Sequence, residues 1–173
     1  MSAPNANELY AEAIRGFGPA LDRLAAGYEA DPAKRHDLRQ EIHLQLWKSL
    51  AAFDGRCSLK TWSFRVAHNT SISYAHRERR NNSPLISLED LDRSPAAAGW
   101  EPDIDQHRSL QRLHQLVWTL KPLDRQILLS YLEEMDNAAI AEITGLTPAN
   151  VAMKVHRIKR ILARRMQTEE LNA

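Results

Sequence analysis

The sequence holds a single cysteine, Cys57. An internal disulfide framework and a Cys-rich zinc site are therefore excluded. The seven histidines give no substitute. His36 and His43, like His107 and His114, nearly share a helix face, but no carboxylate or thiol completes either pair at ligand spacing. No metal and no cofactor are expected. The chain has no Gly-rich phosphate loop, no nucleophile elbow and no HExxH. No enzyme or small-molecule substrate is expected either. No run approaches membrane-spanning length. The start, MSAPNANELYAEAIRGFG, lacks the apolar core of a signal peptide. A soluble cytoplasmic protein without direct membrane insertion is the expectation. Repeats, low-complexity tracts and β-rich runs are missing too, which leaves an all-α reading.

Charge is scarce only in its sum. The net value of +1 says nothing about a polyanionic partner. Its distribution says more, because a phosphate backbone meets local faces. Residues 107 to 166 carry Arg108, Arg112, Lys121, Arg125, Lys154, Arg157, Lys159, Arg160, Arg164 and Arg165, and six of these ten fall in the last helical pattern.

That pattern belongs to Asn137 to Arg165. Ile140, Ala141 and Ile143 make a small apolar patch, and Gly145 supplies the positive φ of a helix C-terminus. Thr147 and Pro148 restart the chain as N-cap and first helical residue. Val151, Val155, Ile158 and Leu162 then share one stripe, with Met153, His156, Arg157 and Arg160 opposite. Helix, glycine turn and helix with a basic outer face is a helix-turn-helix pattern. An ordinary helical hairpin with a solvated basic face is the alternative. Upstream, Leu110, Leu113, Val117 and Leu120 should face inward, and Pro122 and Asp124 should open a helix with Leu123, Ile127, Leu128 and Leu132 apolar.

The first half is also helical. Residues 1 to 7 read as a disordered leader. Gly16, Gly18 and Pro19 predict two short helices between Glu8 and Tyr28, and Asp31–Pro32 a turn or helix start. In DLRQEIHLQLWKSLAAF, Leu38, Ile42, Leu46 and Leu50 form the inward side, and Asp37, Gln40, Glu41, Leu44 and Lys48 gather opposite. That outer group is either a stray exposed leucine among solvated residues or a partner-binding ridge. Asp54–Gly55 is a turn, and Ser58 can cap the next helix. That helix, SLKTWSFRVAHNTSISYAHRERR, has no clean stripe. Leu59, Trp62 and Val66 oppose Phe64 and Ala75, Asn69 to Ser73 are polar, and Arg77, Arg79 and Arg80 end it. It suits a single nucleic-acid strand, or is a core helix wedged between neighbours with a basic tail. Between the halves, NNSPLISLEDLDRSPAAAGWEPDIDQ is acidic, and Pro84, Pro95 and Pro102 break any helix. It reads as a linker, although Leu85, Ile86, Leu88, Leu91 and Trp100 are apolar enough to lie against something.

The ordered pair DLRQEIHLQLW…FDGRCSLKTWSFRVAHN and LKPLDRQILLSYLEEMDNAAIAEITGLTPANVAMKVHRIKRIL resembles the bacterial sigma factors, specifically their small two-domain extracytoplasmic-function (ECF) group, over about residues 8 to 166. The resemblance implies two small helical domains, 1–80 and 107–173, joined by the acidic linker 81–106. It implies a factor that binds core RNA polymerase and directs promoter recognition and transcription initiation. Asp37, Gln40, Glu41, Leu44 and Lys48 would contact polymerase. Phe53, Arg56, Ser58, Lys60, Trp62, Arg65, Asn69, Arg77, Arg79 and Arg80 would bind the melted minus-ten strand, where an extruded base needs a pocket that returns stacking and edge hydrogen bonds. Thr147, Ala149, Asn150, Met153, Lys154, His156, Arg157 and Arg160 would read the minus-thirty-five element as duplex. An anti-sigma factor is an implied partner. The linker would thread along the polymerase RNA path, its carboxylates standing in for nucleic acid.

Some residues depart from the pattern. Ala152 and Met153 stand where relatives often have a basic and a small polar residue. Arg39 and His43 replace apolar positions of the clamp-facing helix, and Lys34, Arg35 and His36 replace an acidic stretch. The first pair leaves the preferred promoter sequence open; the changes in and before the clamp-facing helix point to a polymerase affinity that differs or needs something extra. The rival readings are a stand-alone helix-turn-helix regulator behind a helical interaction domain, and an interaction module that no longer binds DNA.

Overall fold

The computed structural model describes residues 5–78, 84–94 and 106–170, the side chains of 106–109 and 165–170 excepted. Among these residues every regular element is helical, apart from one isolated bridge. Helix α1, Ala6–Ala26, opens on a capping box: the Asn5 side chain accepts from the amides of Asn7 and Glu8, and Glu8 accepts from the Asn5 amide. The expected leader therefore gives way to helix at Ala6, and residues 1–4 lie outside the described residues. The expected break into two helices does not occur, because α1 runs through Pro19. A mid-helix proline forfeits one backbone hydrogen bond and crowds the preceding turn. Leu9, Ala13, Leu21, Leu24 and Ala25, buried on both sides of it, hold the helix together by packing.

Asp31 caps α2, Pro32–Ser49, with Pro32 in the first turn. Leu38, Ile42, Leu46 and Leu50 are all buried, as their spacing predicts. A single 3-10 turn, Leu50–Ala52, and a turn at Gly55 (φ 75°) lead to Ser58, whose hydroxyl accepts from the Thr61 amide at 3.0 Å. There α3, Leu59–Glu78, begins. It packs against α1, α2, α6 and α7. Thr61, Ser63, His68, Thr70 and Ser71 are buried along it with Phe64, Ala67 and Tyr74. Ser63 and Thr70 return their hydroxyls to the carbonyls of Leu59 and Val66, four residues back, which lets them sit in a dry helix interior. The missing stripe thus marks a helix enclosed on most sides.

Residues 84–94 of the linker are more ordered than the flanking prolines imply. Ser87 caps a short helix α4, Leu88–Arg93, between Pro84 and Pro95. Leu88 and Leu91 are buried, and the acidic first turn, Glu89 and Asp90, suits a helix N-terminus. Ile86 pairs with the distant turn around Leu120, its amide donating to Thr119 O and its carbonyl accepting from the Lys121 amide, both at 2.9 Å. Trp100 lies outside the described residues.

Four helices complete the chain: α5, Gln106–Thr119; α6, Pro122–Leu132; α7, Asn137–Thr144; and α8, Pro148–Glu170. Leu116, Val117 and Leu120 are buried, whereas Leu110, expected inside, is 57% exposed. Its helical angle is right, but among the described side chains of α5 the buried ones, Leu116 and Val117, lie next to the turn into α6. Gly145 takes φ 75° between α7 and α8, and Val151, Val155, Ile158 and Ile161 bury the inner side of α8.

The two groups of helices close on each other through a buried polar relay. The Tyr28 hydroxyl meets His68 Nδ1 at 2.9 Å, and His68 Nε2 meets the Ser130 hydroxyl at 3.0 Å. A neutral imidazole carries one donor and one acceptor, and both hydroxyls serve either way. Around the relay Arg23 makes a two-pronged pair with Glu133, Lys60 donates to the Glu133 carbonyl, and Trp118 donates to the Ala26 carbonyl. Burial holds His68 neutral, with its pKa pushed down to about 3. The unfolded chain takes up a proton near pH 6.5 that the folded chain refuses, so this group's stability is complete above that pH and declines as pH falls toward 3. Between pH 6.5 and 5 the unfolding free energy in urea should fall with a slope that rises from about 0.7 toward about 1.4 kcal/mol per pH unit through this residue. His68→Gln should flatten the profile by that amount, and an unchanged slope would refute the assignment.

Candidate polymerase and promoter interfaces

On the outer side of α2, Asp37, Gln40, Leu44 and Lys48 are exposed and Glu41 is half-buried. Leu44 is 48% exposed, and so nearly is Trp47 at 46%. Trp47 escaped the sequence reading, although it follows Gln40 by seven residues and Leu44 by three and so shares their face. Its ring nitrogen donates to Asn7 Oδ1 at 2.8 Å, which ties the indole to the start of α1. The two make an apolar ridge bordered by polar groups. Glu41 accepts from Arg77 at 2.7 and 2.9 Å, so a candidate polymerase contact and a candidate strand contact hold each other. The unusual Arg39 and His43 turn inward to α1: Arg39 binds both oxygens of Asp22 at 2.6 and 2.8 Å, and His43 Nδ1 meets the Tyr10 hydroxyl at 2.7 Å. Their replacement of apolar residues serves the α1–α2 contact and leaves the ridge unaltered.

The start of α3 and the preceding loop build an aromatic platform. Phe53 meets Trp62 edge to face at 5.3 Å between centroids. The Arg65 guanidinium lies 4.9 Å from the Trp62 ring, and the indole N–H donates to the Ser49 hydroxyl at 3.0 Å. Asn69, one turn beyond Arg65, is exposed with its amide toward solvent. Phe53, Trp62 and Arg65 thus come together, and Asn69 follows Trp62 by seven residues along the same side of α3. Arg56 stands off from them, paired with Asp54, and Ser58 is spent as a helix cap. Lys60 reaches the second group of helices through Glu133. Arg77 lies on the far end of α3, and Arg79 and Arg80 lie outside the described residues.

On α8, Ala149, Asn150, Met153, His156 and Arg160 are exposed, with Met153 at 64%. Thr147 acts as the cap, accepting from the Asn150 amide at 3.2 Å. Lys154 and Arg157, expected on the outer face, are half-buried and turned to the linker. Lys154 Nζ lies 2.6 Å from Asp124 and 3.0 Å from Glu89, and Arg157 lies 2.7 Å from Glu89. Asp92 pairs with Arg160 and with Arg164, the latter at 2.5 Å. These carboxylates were legible only as an acidic stretch beside a basic helix; nothing in the sequence paired them. The Arg160 hydrogen bond holds the Asp92 carboxyl below its ordinary range. Burial opposes charge on both Glu89 and Lys154. It is outweighed at Glu89 by its own backbone amide and Lys154, and at Lys154 by Asp124 and Glu89, so the acid is lowered and the amine raised.

Two family descriptions match the chain: Sigma-70 region 2 over residues 13–81, and Sigma-70, region 4 over residues 110–162. The RNA polymerase sigma factor YlaC of Bacillus subtilis is 27% identical over 131 residues, 75% of this chain and 76% of that protein. The ECF RNA polymerase sigma factor SigG of Mycobacterium tuberculosis is 29% identical over 124 residues, 68% of this chain but 30% of that longer protein. Among solved structures, CnrH in complex with the cytosolic domain of CnrY shares the fold, with a TM-score of 0.61 at 16% identity over 92% of this chain and 88% of that one. Sigma factors are transcription initiation factors, and this chain belongs to their sigma-70 family as a member of the ECF group. Its function is promoter recognition with core RNA polymerase. Among the described residues no helix is long and apolar enough to cross a membrane, and no group of His, Cys, Asp or Glu is placed to hold a metal.

The exposed candidates and the platform should separate in stability. Leu44→Ala and Asn69→Ala should each change the unfolding free energy by under about 0.5 kcal/mol. Trp62→Ala, which strips Phe53, Ser49 and Arg65 of their partner, should cost roughly 2 kcal/mol or more. Guanidinium titrations of the three variants measure this.

Proposed function

We propose that the tasks of this sigma factor divide among three surfaces. The α2 ridge, Asp37, Gln40, Glu41, Leu44 and Lys48, to which we add Trp47, docks on core polymerase. Two adjoining large apolar side chains left in water beside acid and amide groups suit a protein interface. The platform of Phe53, Trp62, Arg65 and Asn69 receives a base extruded from the minus-ten element: the rings offer stacking and Asn69 edge hydrogen bonds. Arg56, Ser58, Lys60, Arg77, Arg79 and Arg80 follow the strand. The outer face of α8 reads the minus-thirty-five duplex, with Arg157 and Arg160 suited to guanine, Asn150 to adenine, and Ala149 and Met153 to a thymine methyl. His156 and Lys154 adjoin these, and Thr147 caps the helix. The single observation that carries this division is the ridge, the platform and the exposed recognition helix standing on one chain.

The two promoter elements lie roughly 25 base pairs, or about 85 Å, apart along B-DNA. A compact chain of this length has a radius of gyration of about 16 Å. The helices 1–80 and 107–173 therefore act as separable domains, and the linker 81–106 lets them part on polymerase. CnrH has been captured with a cytosolic protein domain; by likeness, an anti-sigma factor in the cytoplasm is the partner we assign to the closed form.

Reconstituted transcription with purified core polymerase tests the reading. Leu44→Ala with Trp47→Ala should weaken holoenzyme assembly at least tenfold and leave folding intact. Asn69→Ala should assemble normally and open promoters poorly. Arg157→Ala with Arg160→Ala should lose output only at promoters that need the upstream element. Tight binding of a duplex site by the free chain with no effect on core polymerase would favour the stand-alone regulator instead.

A further inference from the structure

We propose that α4 is a built-in competitor of promoter DNA for the recognition helix, so that the free chain masks its own duplex-binding face. The inference rests on α8 being the duplex-reading helix. The residues of α4 divide into two stripes. Leu88 and Leu91 point into the core beside Leu116, Leu128, Ile158 and Ile161. Glu89 and Asp92, each one place further along, turn to α8. Glu89 takes Lys154 and Arg157. Asp92 takes Arg160 and Arg164 and approaches Arg157 at 3.5 Å, and its backbone carbonyl accepts from Arg164 at 3.0 Å. Asp124, 3% exposed at the start of α6, holds Lys154 from beneath and accepts the Leu88 amide at 2.9 Å. Four cations of α8 are thereby engaged by three carboxylates of the same chain.

These contacts copy what a DNA backbone supplies. Arginine forks and a lysine ammonium pair with carboxylate oxygens as they do with phosphate oxygens. A cation already neutralised by its own chain releases little when phosphate arrives, because the gain in duplex binding comes from counterions set free. Phosphate and α4 cannot hold the same guanidinium forks together. Met153, His156 and Asn150 remain open to solvent, while Arg157 and Arg160, which suit guanine edges or phosphates, are occupied. The parting of the domains on polymerase pulls on the linker that carries α4, and release of the recognition helix follows from it.

The test compares the full chain with Glu89→Gln plus Asp92→Asn, binding a fluorescent mixed-sequence duplex of about 20 base pairs. The neutralised chain should bind roughly tenfold more tightly at about 0.1 M salt, and its plot of log affinity against log salt should steepen by up to about 0.9 per freed cation. Less than a twofold gain, or a loss, overturns the proposal: α4 would then be indifferent to DNA or a support for α8. Adding Arg157→Ala and Arg160→Ala to the neutralised chain separates the two readings. If binding survives, α8 is not the duplex surface and the underlying assignment fails; if binding collapses, α8 is confirmed and the gain alone judges α4. Should the neutralised chain fold poorly, hydrogen exchange on the unaltered chain decides. Saturating duplex should strip protection from the α4 amides, and protection kept at saturation refutes competition.

Discussion

Everything here turns on a helix that has almost no free side. α3 is packed by α1, α2, α6 and α7, and its buried hydroxyls, that of Ser71 excepted, find partners within the protein. Ser63 and Thr70 solve this locally, through carbonyls of their own helix. His68 solves it across the gap between the two groups of helices, by taking Tyr28 on one side and Ser130 on the other. A buried relay of this kind loses much of its value if one member leaves, because the remaining groups are then unpaired in a dry setting. The same helix carries the aromatic platform at its start and Arg77 near its end. Its burial therefore fixes both the surface we assign to single-stranded DNA and the contact between the lobes.

Much of this could be read before any coordinates. The caps at Ser58 and Thr147, the turns at Gly55 and Gly145, and the inward side of α2 all follow from local chemistry with a single outcome, whereas Asp31–Pro32 reads as a turn or a helix start until α2 is seen to begin there. Local rules erred where packing overrode them. Pro19 lies inside a continuous helix because apolar contacts on either side outweigh one lost hydrogen bond. Leu110 has the right angle on α5 and lies outside the stretch that packs. A helix of six residues between two prolines was invisible because Leu88 and Leu91 stabilise it only against distant partners.

The functional surfaces divide in the same way. Exposure of Leu44, Asn69 and Met153 needs only a helical count. The engagement of Lys154 and Arg157 with Glu89 needs the fold, since more than sixty residues of sequence separate the partners. The unusual Arg39 and His43 look like changes to a docking face until Asp22 and Tyr10 appear opposite them. A substitution in a recognisable motif carries a functional meaning only after its neighbours in space are known.

The Arg77–Glu41 pair ties two distant jobs to a single contact. Any cation from a docking protein that takes over Glu41 leaves the Arg77 guanidinium without its carboxylate, at the edge of the path we assign to the melted strand. Attachment to the machine would then come first and capture of unpaired DNA second. A chain drifting alone among chromosomal DNA would keep that hand closed.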